Sequence, residues 1–323
     1  MYFNLELLSK YKKELMGVYA IGIILCHAHA TICDMPSIVE KILSLGTICT
    51  EMFMLLSGIG IFYSLRKNKG KIIQWYKKRF LRLFVPYLIL AIPYYVWFGY
   101  INNHSVCTIL LNISTINYWI NGSGAWFVAM ITLCYLLAPL VYNIYVYCNN
   151  NPFIFIILFL IVFALSFFLG FYENATYSSS LFLLGMFISP YVQEQKRINW
   201  LYISIIGILL YVICSKISML AFMPRIFFLF PLSIIIPIFF IDKIYYVKTF
   251  LFMGKISFES YLTNCFLGVI LMQYGHFIIP EKLATGNYIQ YLLVVILGIT
   301  VSYFTHKLSN IILNKCTNTS SNA

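Results

Sequence analysis

Residues 14–31 read ELMGVYAIGIILCHAHAT, an apolar run that carries His27 and His29 in its second half. As an α-helix with a rise of about 1.5 Å per residue, this run can cross a hydrocarbon core roughly 30 Å thick. Ionisable side chains at membrane depth are costly, and they usually face a protein interior or a water-filled cavity. The run therefore predicts a membrane span that holds an imidazole for a functional reason.

The composition agrees with a membrane protein. Of the 323 residues, 61% are hydrophobic and only 10% are charged, so the polar side chains are too few to cover a soluble globule. The formal net charge is +12, but the basic residues cluster between the apolar runs, as they do in loops beside a membrane. We therefore expect membrane lipids as partners and do not expect nucleic acid.

Ten hydrophobic runs can be distinguished, and they predict an all-α polytopic integral membrane protein with about ten transmembrane helices. The sixth and eighth runs are short, so re-entrant segments are the alternative there. The runs cover approximately residues 15–33, 42–65, 83–101, 124–147, 152–172, 180–193, 199–217, 226–241, 256–275 and 288–306.

The distribution of basic residues predicts that both termini are cytoplasmic. With the amino terminus inside, all Lys and Arg residues except Lys41, Lys216, Arg225 and Lys282 fall in inner segments, as the positive-inside rule requires. We expect one integral membrane domain over residues 1–316 and a polar tail over residues 317–323. The nine Cys residues are scattered without paired spacing, so neither a disulfide framework nor a metal site is expected.

His27 and Glu51 are predicted to lie at the same depth. Counted along the first two spans, His27 falls about 12 Å and Glu51 about 13 Å below the outer edge of the hydrocarbon core. Spans joined by a short connection pack as antiparallel neighbours, and a carboxylate that orients an imidazole prepares it as a general base for a hydroxyl. The alternative is that His27 bonds a backbone carbonyl and Glu51 faces outer-side water. His29 lies on a different helix face and is expected to be a spectator.

A basic segment over residues 66–82 follows the second span. Arg79 and Arg82 are three residues apart, so they share one face of a helix just below the bilayer. Two interpretations remain open for this segment. It either sets topology and contacts anionic lipids, or it docks a phosphorylated cytosolic ligand.

Polar and aromatic residues on the outer side and in the later spans are further candidates. The outer loop over residues 102–123 is either a lid or sugar-facing surface, or a solvated connection. Trp126 is expected in an outer aromatic belt, with sugar stacking as the alternative. Glu259, Tyr261 and Asn264 share the ninth span, where hydrogen bonding between helices is the expected role. Three histidines are expected at the surface: His104, His276 and His306.

Short motifs follow one another along most of the chain. They are residues 14–17 (ELMG) leading to His27, residues 51–58 (EMFMLLSG), residues 78–87 (KRFLRLFVPY), residues 125–127 (AWF) with Tyr135 and Pro139, residues 184–186 (LGM) and residues 256–262 (ISFESYL). Each motif is weak alone, but in this order the set resembles membrane acyltransferase family 3.

The resemblance implies a multi-pass protein of the bacterial inner membrane with about ten spans. Such a protein takes an acyl group, usually acetyl, from cytosolic acyl-CoA and transfers it to a hydroxyl of a surface glycan or of its lipid-linked precursor. The resemblance implies acyl-CoA as co-substrate and no metal. In this family His27 occupies the position of the proposed catalytic base, Glu51 an acidic position that is often Asp, and Arg79 and Arg82 the Arg pair expected at the CoA phosphates.

Trp126, Tyr261 and Asn264 are the candidate substrate contacts. Two positions depart from the family pattern. Met16 stands where many members carry Arg, so that an acyl-CoA contact is either missing or replaced by Lys12 or Lys13. Asn264 falls in the Thr-Asn pair that stands where the final motif often has His, which removes acid-base chemistry there but keeps hydrogen bonding.

The sequence therefore predicts a membrane O-acyltransferase with His27 as general base. The alternative from another class is a transporter or exporter of a glycan or lipid-linked sugar, in which His27 and Glu51 form a proton relay. A third possibility is that the chain is a catalytically inactive relative of this family, because Met16 stands where many members carry Arg. The acceptor sugar, the acyl chain, the oligomeric state and the choice between direct transfer and an acyl-enzyme are left open.

Overall fold

The computed structural model describes residues 2–29, 35–68, 70–168, 173–216, 224–243, 248–274 and 286–318. In these ranges the regular secondary structure is helical apart from two short strands, β1 (Tyr2–Asn4) and β2 (Arg197–Asn199). The helices are α1 (Glu6–Lys10), α2 (Lys12–His29), α3 (Ser37–Ser44), α4 (Ile48–Lys67), α5 (Ile72–Ile101), α6 (Val106–Ile113), α7 (Ile116–Asn121), α8 (Trp126–Tyr147), α9 (Phe153–Phe168), α10 (Glu173–Gln193), α11 (Trp200–Lys216), α12 (Pro224–Lys243), α13 (Lys248–Lys255), α14 (Ser257–Tyr274) and α15 (Gly286–Asn318).

The chain is a helical membrane protein, and each of the ten hydrophobic runs overlaps one of these helices. Among the described residues, four helical stretches are long and apolar enough to cross a bilayer: Ser37–Lys67, Ile72–Ile101, Trp126–Tyr147 and Tyr291–Cys316. The sixth and eighth runs are longer as helices than the hydropathy suggested, with 21 residues in α10 and 20 in α12. Polar residues or Pro at the ends of these two helices lower the local hydropathy, so the hydropathy pattern underestimates the helix lengths.

The basic segment over residues 66–82 is mostly helical rather than a loop. α4 ends at Lys67 and α5 begins at Ile72, so that only residues 68–71 separate the two helices. With 30 residues, α5 is about 45 Å long, which exceeds the roughly 30 Å of a hydrocarbon core. The basic segment therefore begins in the last turn of α4, and its Lys77, Lys78, Arg79 and Arg82 lie in the early turns of α5, whose later turns are apolar.

The contacts divide the chain into two compact units. The first unit comprises residues 1–19, 46–69 and 137–255, and the second comprises residues 20–45, 70–136 and 256–323. α4, α10 and α12 are central to the first unit, where α10 also packs against α9 and α1, and α12 packs against α11. Its aromatic core surrounds Phe62, whose ring lies edge-on to Tyr142, Tyr145 and Phe155 at centroid distances of 5.4–6.1 Å.

Glycines allow two helix pairs of the first unit to approach closely. Gly58 of α4 faces Gly185 of α10, and a Cβ on either would overlap a backbone carbonyl of the facing helix. Gly17 of α2 and Gly254 of α13 meet in the same way. Small residues at helix crossings are typical of membrane proteins, where close backbone packing replaces the hydrophobic driving force available in water.

The second unit is built around α5, α14 and α15, which pack against one another, with α6 packed against α5 and α7 against α6. A polar seam joins α14 to α15. Ser302 donates a hydrogen bond to Thr263 across the two helices at 3.0 Å, and Thr263 donates to the carbonyl of Glu259 at 2.7 Å. Buried hydroxyls of this kind hold membrane helices together because hydrocarbon offers them no other partners.

Candidate functional site

A cavity of about 560 Å³ lies in the second unit, between the later turns of α5, the segment with α6 and α7, the start of α8, and α14. Aromatic and amide side chains dominate its lining. Its residues are Tyr94, Tyr95, Phe98, His104, Thr108, Asn112, Asn117, Ser123, Gly124, Ala125, Trp126, Tyr261, Leu262, Cys265 and Phe266. This size and mixture are those of a pocket for an organic ligand.

The aromatic side of the cavity is formed where α5 and α14 meet. Phe266 contacts Tyr94 and Tyr95, with ring centroids 4.8 Å and 5.6 Å apart. Tyr261 packs against Phe127 at 4.9 Å. Rings fixed by such neighbours present flat apolar surfaces at low entropic cost, and the tyrosine hydroxyls add polar groups at their ends.

The amide side of the cavity is a hydrogen-bonded cluster. Asn117 donates through its side-chain nitrogen to Asn112 Oδ1 at 2.7 Å and to Ser123 Oγ at 2.8 Å. Tyr87 donates to the carbonyl of Asn112 at 3.2 Å. Gly124 has φ +109°, which other residues rarely adopt, and so lets the chain turn beside this cluster into α8. The predicted outer loop is thus an ordered part of the cavity wall.

Two of the candidate substrate contacts, Trp126 and Tyr261, line this cavity together. Asn264 lies three residues beyond Tyr261, on the next turn of α14. Its side-chain nitrogen is buried and finds no hydrogen-bond partner among the residues that the structure describes. A buried amide donor in that state is costly, and a ligand oxygen would satisfy it.

His27 also belongs to the second unit. It lies in the last turns of α2, where Ile23, Ile24, Cys26 and Ala28 are buried; His27 itself is partly buried, with its Nδ1 shielded from solvent. The hydroxyl of Tyr291 in α15 donates to the carbonyl of Ile24, so this part of α2 is held against α15. The predicted base therefore sits in a packed part of the second unit.

Glu51 belongs to the first unit, in the first turn of α4. It is partly exposed, but its Oε2 is buried and has no hydrogen-bond partner within the described ranges. The predicted pairing of Glu51 with His27 stays a prediction.

Arg79 and Arg82 lie in the early turns of α5, as the sequence predicts. Arg79 is partly buried and its guanidinium stands over the ring of Trp75 at 6.0 Å, whereas Arg82 is exposed. The cavity residue Tyr94 lies fifteen residues after Arg79 in α5, which corresponds to about 22 Å of helix. One helix thus carries cations near its start and the aromatic cavity near its end.

His306 was expected at the surface, and this expectation is wrong. Its Nδ1 lies 2.9 Å from Oε1 of Glu259, and the two side chains are only 30% and 8% exposed. The hydrogen bond joins α14 to α15, which is the role predicted for the polar groups of the ninth span. The available signal was the position of Glu259 within an apolar run, because a carboxylate that is buried there requires a partner.

His104 was also regarded as a surface residue. Its side chain is exposed, but it lines the cavity and contacts the ring of Phe98 at 5.7 Å. Sequence reasoning missed Asn112 and Asn117 as well, although the many Asn and Ser residues of the outer loop were the signal. His276 lies outside the described residues. Within the described part of the chain, no group of three or more His, Cys, Asp or Glu residues could hold a metal ion.

Residues 17–307 match the family model described as an acyltransferase domain, which is that of acyltransferase family 3. Neither a curated protein nor a solved structure matches the chain. The matched residues include α2 from Gly17 onward, the cavity, and the polar seam of the second unit.

Proposed function

The chain belongs to membrane acyltransferase family 3, and from this membership we propose that it transfers an acyl group to a hydroxyl of a glycan. The donor is cytosolic acyl-CoA, with acetyl-CoA as the expected form. The acceptor is an extracytoplasmic glycan or its lipid-linked precursor. The protein occupies the bacterial inner membrane with about ten spans and both termini in the cytoplasm.

The cavity of the second unit is the observation that carries this proposal. Flat aromatic rings beside amide and hydroxyl groups suit a sugar, whose ring has apolar faces and whose hydroxyls both donate and accept hydrogen bonds. Asn112 and Asn117 supply the amides, and Trp126 and Tyr261 the rings. Because His27 belongs to the same unit, this unit offers both a base and an acceptor site.

The donor is expected at the other end of α5. Arg79 and Arg82 are cations on one helix face, and CoA carries phosphate groups that suit guanidinium forks. From there an extended thioester arm has to reach inward, towards the depth predicted for His27. Lys12 and Lys13 are the candidate substitutes for the family Arg at Met16, and the ammonium group of Lys12 lies beside Gly60 of α4.

The proposed reaction is a direct transfer of the acyl group from CoA to the acceptor. The acceptor oxygen attacks the thioester carbonyl carbon while His27 removes its proton, and a tetrahedral oxyanion forms. The intermediate collapses, the carbon–sulfur bond breaks, and the departing CoA thiolate takes the proton from the imidazolium. In this scheme Glu51 stabilises the imidazolium of His27, because the sequence predicts that the two side chains lie at the same depth in the membrane.

Mass spectrometry of surface glycans tests the proposal. We compare cells that carry the wild-type chain, cells that lack it, and cells with His27→Ala or His29→Ala at matched membrane abundance. Loss of a general base costs about 10²- to 10⁴-fold in rate, so the O-acyl group should be lost with His27→Ala and retained with His29→Ala.

Two outcomes of that comparison oppose the proposal. Unchanged acylation in the cells without the chain would indicate an inactive relative, as the Met16 departure allows. Unchanged acylation together with a glycan that accumulates inside the cell would favour an exporter in which His27 relays protons.

A further inference from the structure

A second cavity, of about 540 Å³, lies in the first unit, and the acyl transfer proposed above makes no use of it. Its walls are β1 and β2, the start of α11 and the end of α12. The two strands pair in antiparallel register, with Phe3 opposite Ile198, and the N–H of Leu5 donates to the carbonyl of Lys196 at 3.1 Å. The segment before α1 is thereby fixed against the segment before α11.

One side of this cavity is apolar. Ile236, Phe239 and Phe240, from the last turns of α12, line it and are 48%, 51% and 54% exposed. Large apolar side chains on a membrane helix are compatible with hydrocarbon, so acyl chains can cover them at no cost in hydration.

The other side of the cavity is polar and carries more positive than negative charge. Arg197 and Lys243 line it together with Asp242. The carboxylate of Asp242 accepts a hydrogen bond from Tyr11 at 2.6 Å. Within the lining, two cations thus face one carboxylate, which leaves a single excess positive charge.

Trp200, the first residue of α11, adds a hydrogen-bond donor. Its Nε1 is buried, the residue lines the cavity, and this N–H has no hydrogen-bond partner among the residues that the structure describes. A buried indole N–H normally has an acceptor, and its absence costs about as much as a lost hydrogen bond. A ligand oxygen at this end of the cavity would satisfy it.

We propose that this cavity binds one anionic phospholipid of the surrounding leaflet. The phosphate lies at Arg197 and Lys243 and accepts the Trp200 N–H, and the acyl chains lie along Ile236, Phe239 and Phe240. A single phosphodiester matches the single excess positive charge, whereas the several phosphates of a nucleotide would exceed it. Basic pockets beside apolar membrane helices are known to bind lipid head groups in this way.

Native mass spectrometry of the detergent-purified full chain tests this site. The protein is titrated with dioleoyl phosphatidylglycerol and, separately, with dioleoyl phosphatidylcholine. We expect one phosphatidylglycerol to bind at least about tenfold more tightly than phosphatidylcholine. Arg197→Gln with Lys243→Gln should abolish this preference, since both side chains are exposed and their loss spares the core.

Lys196→Gln is the matched control, because Lys196 neighbours Arg197 but pairs with Glu194 at 3.0 Å and does not line the cavity. Trp200→Phe keeps an aromatic side chain, although a smaller one, and removes the N–H, so it should weaken phosphatidylglycerol binding by about fivefold or more. An effect of Lys196→Gln equal to that of the double variant would overturn the proposal. So would equal binding of the two lipids.

Phosphatidylglycerol with brominated acyl chains locates the lipid independently, because bromine quenches tryptophan fluorescence only at contact. The brominated lipid should quench less of the tryptophan fluorescence in Trp200→Phe than in the wild type, because the quenched contribution of Trp200 is missing from the variant. Competition by inorganic phosphate at equal concentration would mean that the cavity recognises free phosphate, and would contradict a lipid site. Neither result depends on acyl transfer.

Discussion

Trp126 is the residue that connects the outer loop with the cavity. It follows the Gly124 turn, lines the cavity with Tyr261, and lies next to Phe127, whose ring packs on Tyr261. Trp119 is one-third exposed and is absent from the lining. The two tryptophans are therefore expected to differ in function, although both fit an aromatic belt.

Trp126→Ala should raise the KM for the acceptor by about 2- to 10-fold, the range expected for one aromatic contact. The KM for acyl-CoA should not change, because the donor is expected at the far end of α5. Steady-state kinetics with the acceptor named by the glycan analysis provide the measurement. Trp119→Ala is the control, and equal effects of the two substitutions would show that neither ring binds the sugar.

The candidate residues could be found from the sequence, but their partners could not. A polar side chain within an apolar run is conspicuous, so Glu51, Glu259 and Asn264 stand out on hydropathy alone. Which residue faces Glu259 depends on how α14 and α15 pack, and the separation of 47 positions from His306 gives no local signal. For the same reason His306 was misjudged as a surface residue.

At the scale of elements, the proposed function assigns both substrate sites to α5. Its first turns carry Arg79 and Arg82, and its later turns line the cavity with Tyr94, Tyr95 and Phe98. A helix of about 45 Å is long enough to bear a donor dock beyond the hydrocarbon core and an acceptor site near its other end. Hydropathy predicts only the later part, because the charged turns lower the local average.

Arg79→Gln with Arg82→Gln should raise the KM for acyl-CoA by about tenfold or more, since hydrogen bonds to charged groups contribute about 1.5–3 kcal/mol each. The KM for the corresponding acyl-pantetheine, which lacks the nucleotide phosphates, should not change. Lys77→Gln with Lys78→Gln is the matched control, because it removes the same charge from exposed positions of the same helix. If both pairs act alike, or if acyl-pantetheine is affected equally, the arginines set topology or contact lipid instead.

The contact between α14 and α15 should depend on Glu259 and His306. Removing one member leaves a polar group buried without its partner, so each alanine variant should lower the free energy of unfolding by about 1–3 kcal/mol. The double variant should lose less than the sum, with a coupling energy of about 1–3 kcal/mol. Thermal unfolding in detergent provides the measurement.

The exposed pair Lys196 and Glu194 is the reference for this comparison of single and double variants. Its side chains are 53% and 57% exposed, and surface pairs of this kind contribute at most about 1 kcal/mol. A coupling at Glu259 and His306 no larger than at this pair would contradict the prediction, because the buried hydrogen bond would then stabilise the protein no more than an exposed pair does.

For the whole molecule, composition and charge were sufficient to predict a helical membrane protein, because hydrocarbon admits few alternatives to helices. The ordered motifs were sufficient to predict the family that residues 17–307 match. The cavities could not be predicted, since each is assembled from segments far apart in the chain. Six of the seven candidate site residues fall in the second unit, and Glu51 falls in the first.

The central claim is that acyl-CoA on the cytoplasmic side acylates a glycan through His27. Sealed inside-out vesicles from the producing cells contain the native acceptor and expose the cytoplasmic face, so labelled acetyl-CoA can be added directly to them. We expect label in membrane glycan and release of CoA thiol with the wild type, and neither with His27→Ala. Right-side-out vesicles should incorporate none, because the donor cannot reach Arg79 and Arg82. Incorporation that is independent of His27, or equal in both vesicle orientations, would contradict the account.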